Sequence, residues 1–124
     1  MLFRSALRHP EPAERLRRLA GWNTRQFAQG LDVIETYEDA ARADPDMMRA
    51  WRRMLAGREG ATREFLGSME ADLAVGLDDA VDLFVALTQP GTYRRLVVER
   101  GWTTDRFARW LGDLFIAQLL RPSG

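Results

Sequence analysis

Apolar residues return every three or four positions along most of the chain, and the elements this predicts are helices. Residues 2–7 suit a helical turn or two before Pro10 and Pro12. Pro12 fits the first turn of a helix, in which Leu16 and Leu19 share a face. Gly21 is expected to end that helix and Trp22 to lie in the connection. Asn23 or Thr24 then caps a helix whose apolar positions are Phe27, Leu31, Ile34, Tyr37 or Glu38, and Ala41. Asp44 is a good N-cap and Pro45 a good first residue. The long helix they open has Met47, Met48, Trp51, Met54, Leu55, Phe65 and Met69 near one face and is expected to run to about Glu70. Residues 71–77 read as short and irregular. Asp78 and Asp79 sit at the start of the next helix, where carboxylates complement the dipole. Its stripe is Leu77, Ala80, Val81, Phe84 and Leu87.

The last third has the sharpest punctuation. Pro90 lacks an N–H and ends the preceding helix. A short amphipathic piece follows, with Tyr93, Leu96 and Val97 on one face. Gly101 is expected as a left-handed C-cap, and Thr103, Thr104 and Asp105 offer oxygens to the free N–H groups of a last helix. In that helix Phe107, Trp110, Leu111, Leu114, Phe115 and Leu119 cover an arc of roughly 180°. Ile116 and Leu120 extend the apolar surface to the other side, so its final turns are apolar almost all round. A terminal helix of a small domain cannot easily bury both sides on its own core, which points to a second subunit. No stretch alternates as a strand does. The expected class is all-α, one domain of about six helices.

The order of these signals resembles the C-terminal part of TetR-family transcriptional regulators. The resemblance rests on Leu87, Thr88, Pro90, Tyr93, Gly101, Trp102, Phe107, Trp110 and Leu111, and on Asp44-Pro45-Asp46 followed by Met47, Met48 and Trp51. It spans roughly residues 14–120 and lacks the family's N-terminal DNA-binding domain. It implies an effector-binding and dimerisation domain, a helical bundle whose last two helices pair with those of a mate as a four-helix bundle. The implied division is 1–22 linker-type helices, 23–76 pocket helices and 77–120 dimerisation helices. The pocket would take a small apolar or amphipathic effector among Phe27, Leu31, Ile34, Trp51, Met54, Leu55 and Phe65. Val81, Phe84, Phe107, Leu111, Leu114, Phe115, Ile116 and Leu120 would form the homodimer interface. The rival reading is a stand-alone helical protein that pairs with itself or a partner and binds no small molecule.

Composition narrows the chemistry. The chain has 124 residues, long enough for one core. Its 18 basic and 18 acidic residues cancel, so no charge excess favours nucleic acid, and no direct DNA contact by this chain alone is expected. All the basic residues are arginine, which fits the coding bias of a GC-rich bacterial genome. The absence of cysteine removes disulfides and thiolate chemistry. His9 is the only histidine and builds neither a catalytic triad nor a multi-histidine metal site. No apolar run approaches the ~20 residues of a membrane span, and the N-terminus is too short in apolar residues for a signal peptide. The expectation is a cytoplasmic protein, not an enzyme, with no cofactor and no metal. Gly57, Gly60 and Gly67 lie inside a helical pattern, where close packing, a local break or a kink beside a pocket would each explain them.

Overall fold

A single helix of 32 residues, α1 (Pro12–Ala43), opens the fold where two shorter ones were expected. The computed structural model describes residues 9–122, and the turns expected over residues 2–7 lie outside them. Gly21 does not end a helix, and Asn23 and Thr24 cap nothing. Thr24 Oγ1 instead donates back to the Ala20 carbonyl at 2.7 Å. The reason is packing. Leu16, Leu19, Ala20, Asn23, Thr24 and Phe27 form one unbroken buried face across the glycine. Burial of that face outweighs the ~1 kcal/mol that an interior glycine costs.

At Asp44 the chain reverses. Asp44 Oδ1 accepts from the Asp46 N–H at 2.8 Å, and Pro45 follows in the first turn of α2 (Pro45–Gly67). This helix stops three residues before the expected Glu70. A 3₁₀ turn over Glu70–Asp72 then carries Met69 and Leu73 into the core. Next come α3 (Leu77–Leu87) and α4 (Pro90–Tyr93), the latter running on into a widened π turn over Arg94–Glu99. Gly101 takes the left-handed conformation at φ +74°. The Trp102 N–H reaches back to the Leu96 carbonyl at 2.9 Å, closing this helical end. Thr103 Oγ1 accepts from the Arg106 N–H at 3.1 Å and caps α5 (Thr104–Leu119). The described residues are thus all-helical, with five α-helices. The count falls below the expected six because the two pieces joined at Gly21 are one.

Helix α5 is the centre of the packing and lies chiefly on α1. The two helices meet at Gly112, where a Cβ would make ordinary contact, 3.5 Å from Arg17 Cα and 3.6 Å from Ala20 Cβ. Arg17 and Asp113 pair across the same contact at 2.7 Å. On the other side Phe84 of α3 stacks on Phe115, with centroids 5.0 Å apart. Phe27, Tyr93, Phe107 and Trp110 form a chain of ring contacts that joins α1, α4 and α5. Trp102 meets Trp110 edge to face and carries the Arg106 guanidinium 3.8 Å over its ring, fastening the start of α5.

The end of α5 is covered by its own chain. Ala74 N–H donates to the Leu119 carbonyl at 2.8 Å, and Arg121 donates to the Asp72 and Leu73 carbonyls. The segment after α2 therefore lies along the final apolar turns, and the all-round pattern does not by itself demand a second subunit. At the opposite end the bundle thins. Helix α1 is about 48 Å long at 1.5 Å per residue, more than α3–α5 can flank. The distal α1–α2 hairpin leaves Val33, Tyr37, Met54 and Leu55 exposed at 58%, 47%, 42% and 41%.

Candidate functional site

A partly open cleft of about 260 Å³ lies where this hairpin meets the C-terminal end of α3. Helix α1 supplies Ile34 and Glu38. Helix α2 supplies Trp51, Leu55, Arg58, Glu59 and Thr62. Phe84, Val85, Thr88, Gln89 and Pro90 close the third side. That side exists because Pro90 forbids further helix and the chain turns there. Thr88 Oγ1 donates to the Phe84 carbonyl at 2.8 Å, and Gln89 Nε2 to the Val85 carbonyl at 2.8 Å. These bonds satisfy the last carbonyls of α3 and hold the turn against the cleft. Trp51 is half-buried and stacks on Tyr37, with centroids 6.3 Å apart and planes 16° from parallel.

The residues named for a pocket divide into two groups. Ile34, Trp51 and Leu55 line the cleft together. Phe27 and Phe65 do not: both are closed into the core, Phe27 against Tyr93. Leu31 packs on that core as well. Met54 faces solvent, one helical position away from the cleft wall. The stripe drawn from Met47 to Met69 was too wide, because only its last turns, around Phe65, Leu66 and Met69, reach the interior. Gly57 and Gly60 break nothing and pack against nothing. The helix runs through both, and a Cβ at either would have no atom within 4 Å.

The proposed interface residues need a firmer correction. Val81, Phe107, Leu111 and Phe115 are at most 1% exposed, and Phe84 is buried with them. Their surface is spent on the fold of one chain, so none of the five can be offered to a mate. Ile116 and Leu120 also rest on this core. Leu114 is half-buried and lies outside the set that packs on it. Leu83 and Leu87 on α3 and Trp110 on α5 rest on the core as well and, like Ile116 and Leu120, remain partly open.

A more open depression adjoins the cleft, shares Glu38 with it, and is otherwise lined by Glu35, Asp39, Arg42 and Arg94. Arg94 Nε donates to Glu35 Oε1 at 2.8 Å. This bond, with the nearby carboxylates, holds the guanidinium above its usual pKa. It ties the π turn to α1 just behind the cleft. Among the described residues no group of histidine and carboxylates could hold a metal ion, and no helix is long and apolar enough to cross a membrane. His9 Nδ1 accepts from the Glu11 N–H ahead of α1. The arginines of the first turns are engaged: Arg15 with the His9 carbonyl, Arg17 with Asp113 and Arg18 with Glu14. No family model, curated protein or solved structure matches the chain.

Proposed function

We propose that this chain is the ligand-sensing and dimerisation domain of a TetR-like transcriptional regulator. The observation that carries the reading is the cleft beside Trp51, and in particular what forms its third side. Phe84 to Pro90 is the joint between α3 and α4. A ligand in the cleft touches the end of α3 directly and lies beside the Glu35–Arg94 tie on α1. It can therefore favour one placement of the α1–α2 hairpin against the α3 end over another. Such a difference in affinity between two arrangements is what coupling requires, and 1–3 kcal/mol is about its usual size.

The mate would be a second copy, meeting the partly open flanks of α3 and α5: Leu83 and Leu87, Trp110 and Leu114. A stable contact buries on the order of 1,200–2,000 Å² in total. Sedimentation velocity at tens of micromolar tests this, with a mass twice that of the chain expected. Leu114→Glu should give monomer without unfolding, since Leu114 is not part of the core. Ile116→Glu is the poorer probe because it would also disturb the fold. A wild-type monomer at these concentrations defeats the dimer. Failure of a broad panel of small amphipathic compounds to raise the melting temperature would defeat ligand sensing. DNA recognition is not assigned to this chain.

A further inference from the structure

The polar lining of the cleft is unbalanced, and the imbalance selects a ligand. Three uncharged polar side chains face it, and each has already committed a donor to a backbone carbonyl. Thr62 Oγ1 donates to Arg58 O at 3.0 Å, Thr88 Oγ1 to Phe84 O at 2.8 Å, and Gln89 Nε2 to Val85 O at 2.8 Å. A hydroxyl has one proton to give and two lone pairs. What Thr62 and Thr88 can still offer is acceptor capacity, and Gln89 keeps its side-chain carbonyl for the same use.

The charged groups lean the same way. Glu38 and Glu59 line the cleft, and neither belongs to any salt bridge among the described residues. Glu38 feels the charge of Arg94, but that guanidinium is bonded to Glu35. Glu38 is also the less exposed of the two. The remaining donors are few. Arg58, the basic residue of the lining, is exposed at the rim. Beyond it there are the indole N–H of Trp51 and the second amide hydrogen of Gln89.

From this lining we infer that the cleft takes a small organic cation: a protonated amine on an apolar body, the ammonium directed to Glu38. The inference rests on the ligand-sensing reading above and names the class of ligand. The body would lie between Trp51 and Val85, against Ile34 and Leu55. An aromatic face also attracts an ammonium electrostatically. The volume lies just under the 300–1,000 Å³ that holds drug-sized ligands, so the body should be smaller than those, about one ring and a short chain. An anionic ligand of the same shape would meet two carboxylates, and its own acceptors would find lone pairs.

The experiment compares three probes of one shape on the full chain by titration calorimetry: phenylpropylammonium, phenylpropanol and phenylpropionate. The ammonium should bind at least tenfold more tightly than the alcohol, and the carboxylate more weakly than either. Glu38→Gln should remove most of the preference for the ammonium, on the order of tenfold for a lost charge-assisted hydrogen bond. Arg58→Gln should strengthen ammonium binding. Trp51→Ala should weaken all the probes that bind. Circular dichroism of each variant checks that the helices are intact. Equal binding of alcohol and ammonium, or a preference that Glu38→Gln leaves in place, overturns the cation assignment. If Trp51→Ala still weakens that binding, the cleft itself stands as a ligand site. Binding of none of the three overturns the cation assignment and counts against the ligand-sensing reading as well.

Discussion

Gly57 and Gly60 should be replaceable by alanine with a gain in stability. Both lie inside α2 with ordinary right-handed backbone; the positive φ among the glycines belongs to Gly101. An added methyl at either position meets no atom within 4 Å, so nothing opposes it. The gain has two parts: a less flexible unfolded chain and a better helix former in the folded one. Together they amount to roughly 0.5–1 kcal/mol per site. The two sites are less than one helical turn apart, close enough to couple, so the pair gains at most their sum, about 1–2 kcal/mol. Unfolding entropy of ~2.1 cal/mol/K per residue puts 1 kcal/mol at about 4 °C for a chain of this length. The double variant should therefore melt higher, by up to about 4–8 °C.

The assay is thermal and urea unfolding followed by circular dichroism, with the urea m-value expected to stay constant. A destabilised double variant would refute the reasoning, because it would mean that something covers this face of α2. Ligand binding discriminates further. If the glycines served only to loosen a helix beside the cleft, the alanines would stabilise the protein and weaken its ligand response together. The open surroundings predict stabilisation with the response retained.

Gly101→Ala should act in the opposite direction. Its φ of +74° costs an L-residue about 1–2 kcal/mol, and chemical denaturation should read a loss of that size. Burial holds the Tyr93 phenol above its usual value of 10.0. The unfolded chain therefore releases this proton first, so the stabilising contribution is complete below that value and declines as pH rises through the native one. Tyr93→Phe should flatten the alkaline limb of a stability profile, and an unchanged limb would exclude Tyr93 as its source.

The helices were legible wherever the sequence carries punctuation. Asp44-Pro45, Pro90, Gly101 and Thr103 all mark real ends, because each acts through local backbone chemistry. Gly21 misled for the opposite reason. A glycine costs a helix only ~1 kcal/mol, and a continuous packed face on α5 overrides it, which a local pattern cannot reveal. The cleft was half legible. Trp51, Leu55, Arg58, Glu59 and Thr62 follow one another at helical spacing on a single face of α2. A search for apolar residues keeps the first two and discards the rest. It then substitutes Met54 and Phe65, which point elsewhere. The α3 side, from Phe84 to Pro90, was visible as a helix end but not as a wall, since only the tertiary fold sets it opposite Trp51. Five of the eight interface residues failed on quantity. Periodicity tells which positions are apolar but not how much of that surface one chain consumes, and here the core consumes Val81, Phe107, Leu111 and Phe115 entirely.

The uneven distribution of the core has a consequence for the proposed ligand response. The third side of the cleft is rooted: Phe84 stacks on Phe115, and the chain around Tyr93 is held by Phe27 and Phe107. The first half of α2 is anchored far less, by the Asp44 cap and the stack of Trp51 on Tyr37. Few buried apolar contacts and exposed helical hydrogen bonds place such a segment at the low end of local stability. A ligand lying between the two sides adds apolar contacts to the weak one and leaves the strong one intact. Its effect is then to order the distal hairpin against a fixed α3 end, with α1 as the shared wall. Glu38 stands on that wall with Glu35 beside it, so the charge that receives the ligand and the charge that ties down Arg94 belong to the same turn of α1. On the proposed reading, an effector registers at the α3–α4 joint through this turn, without any displacement of the core.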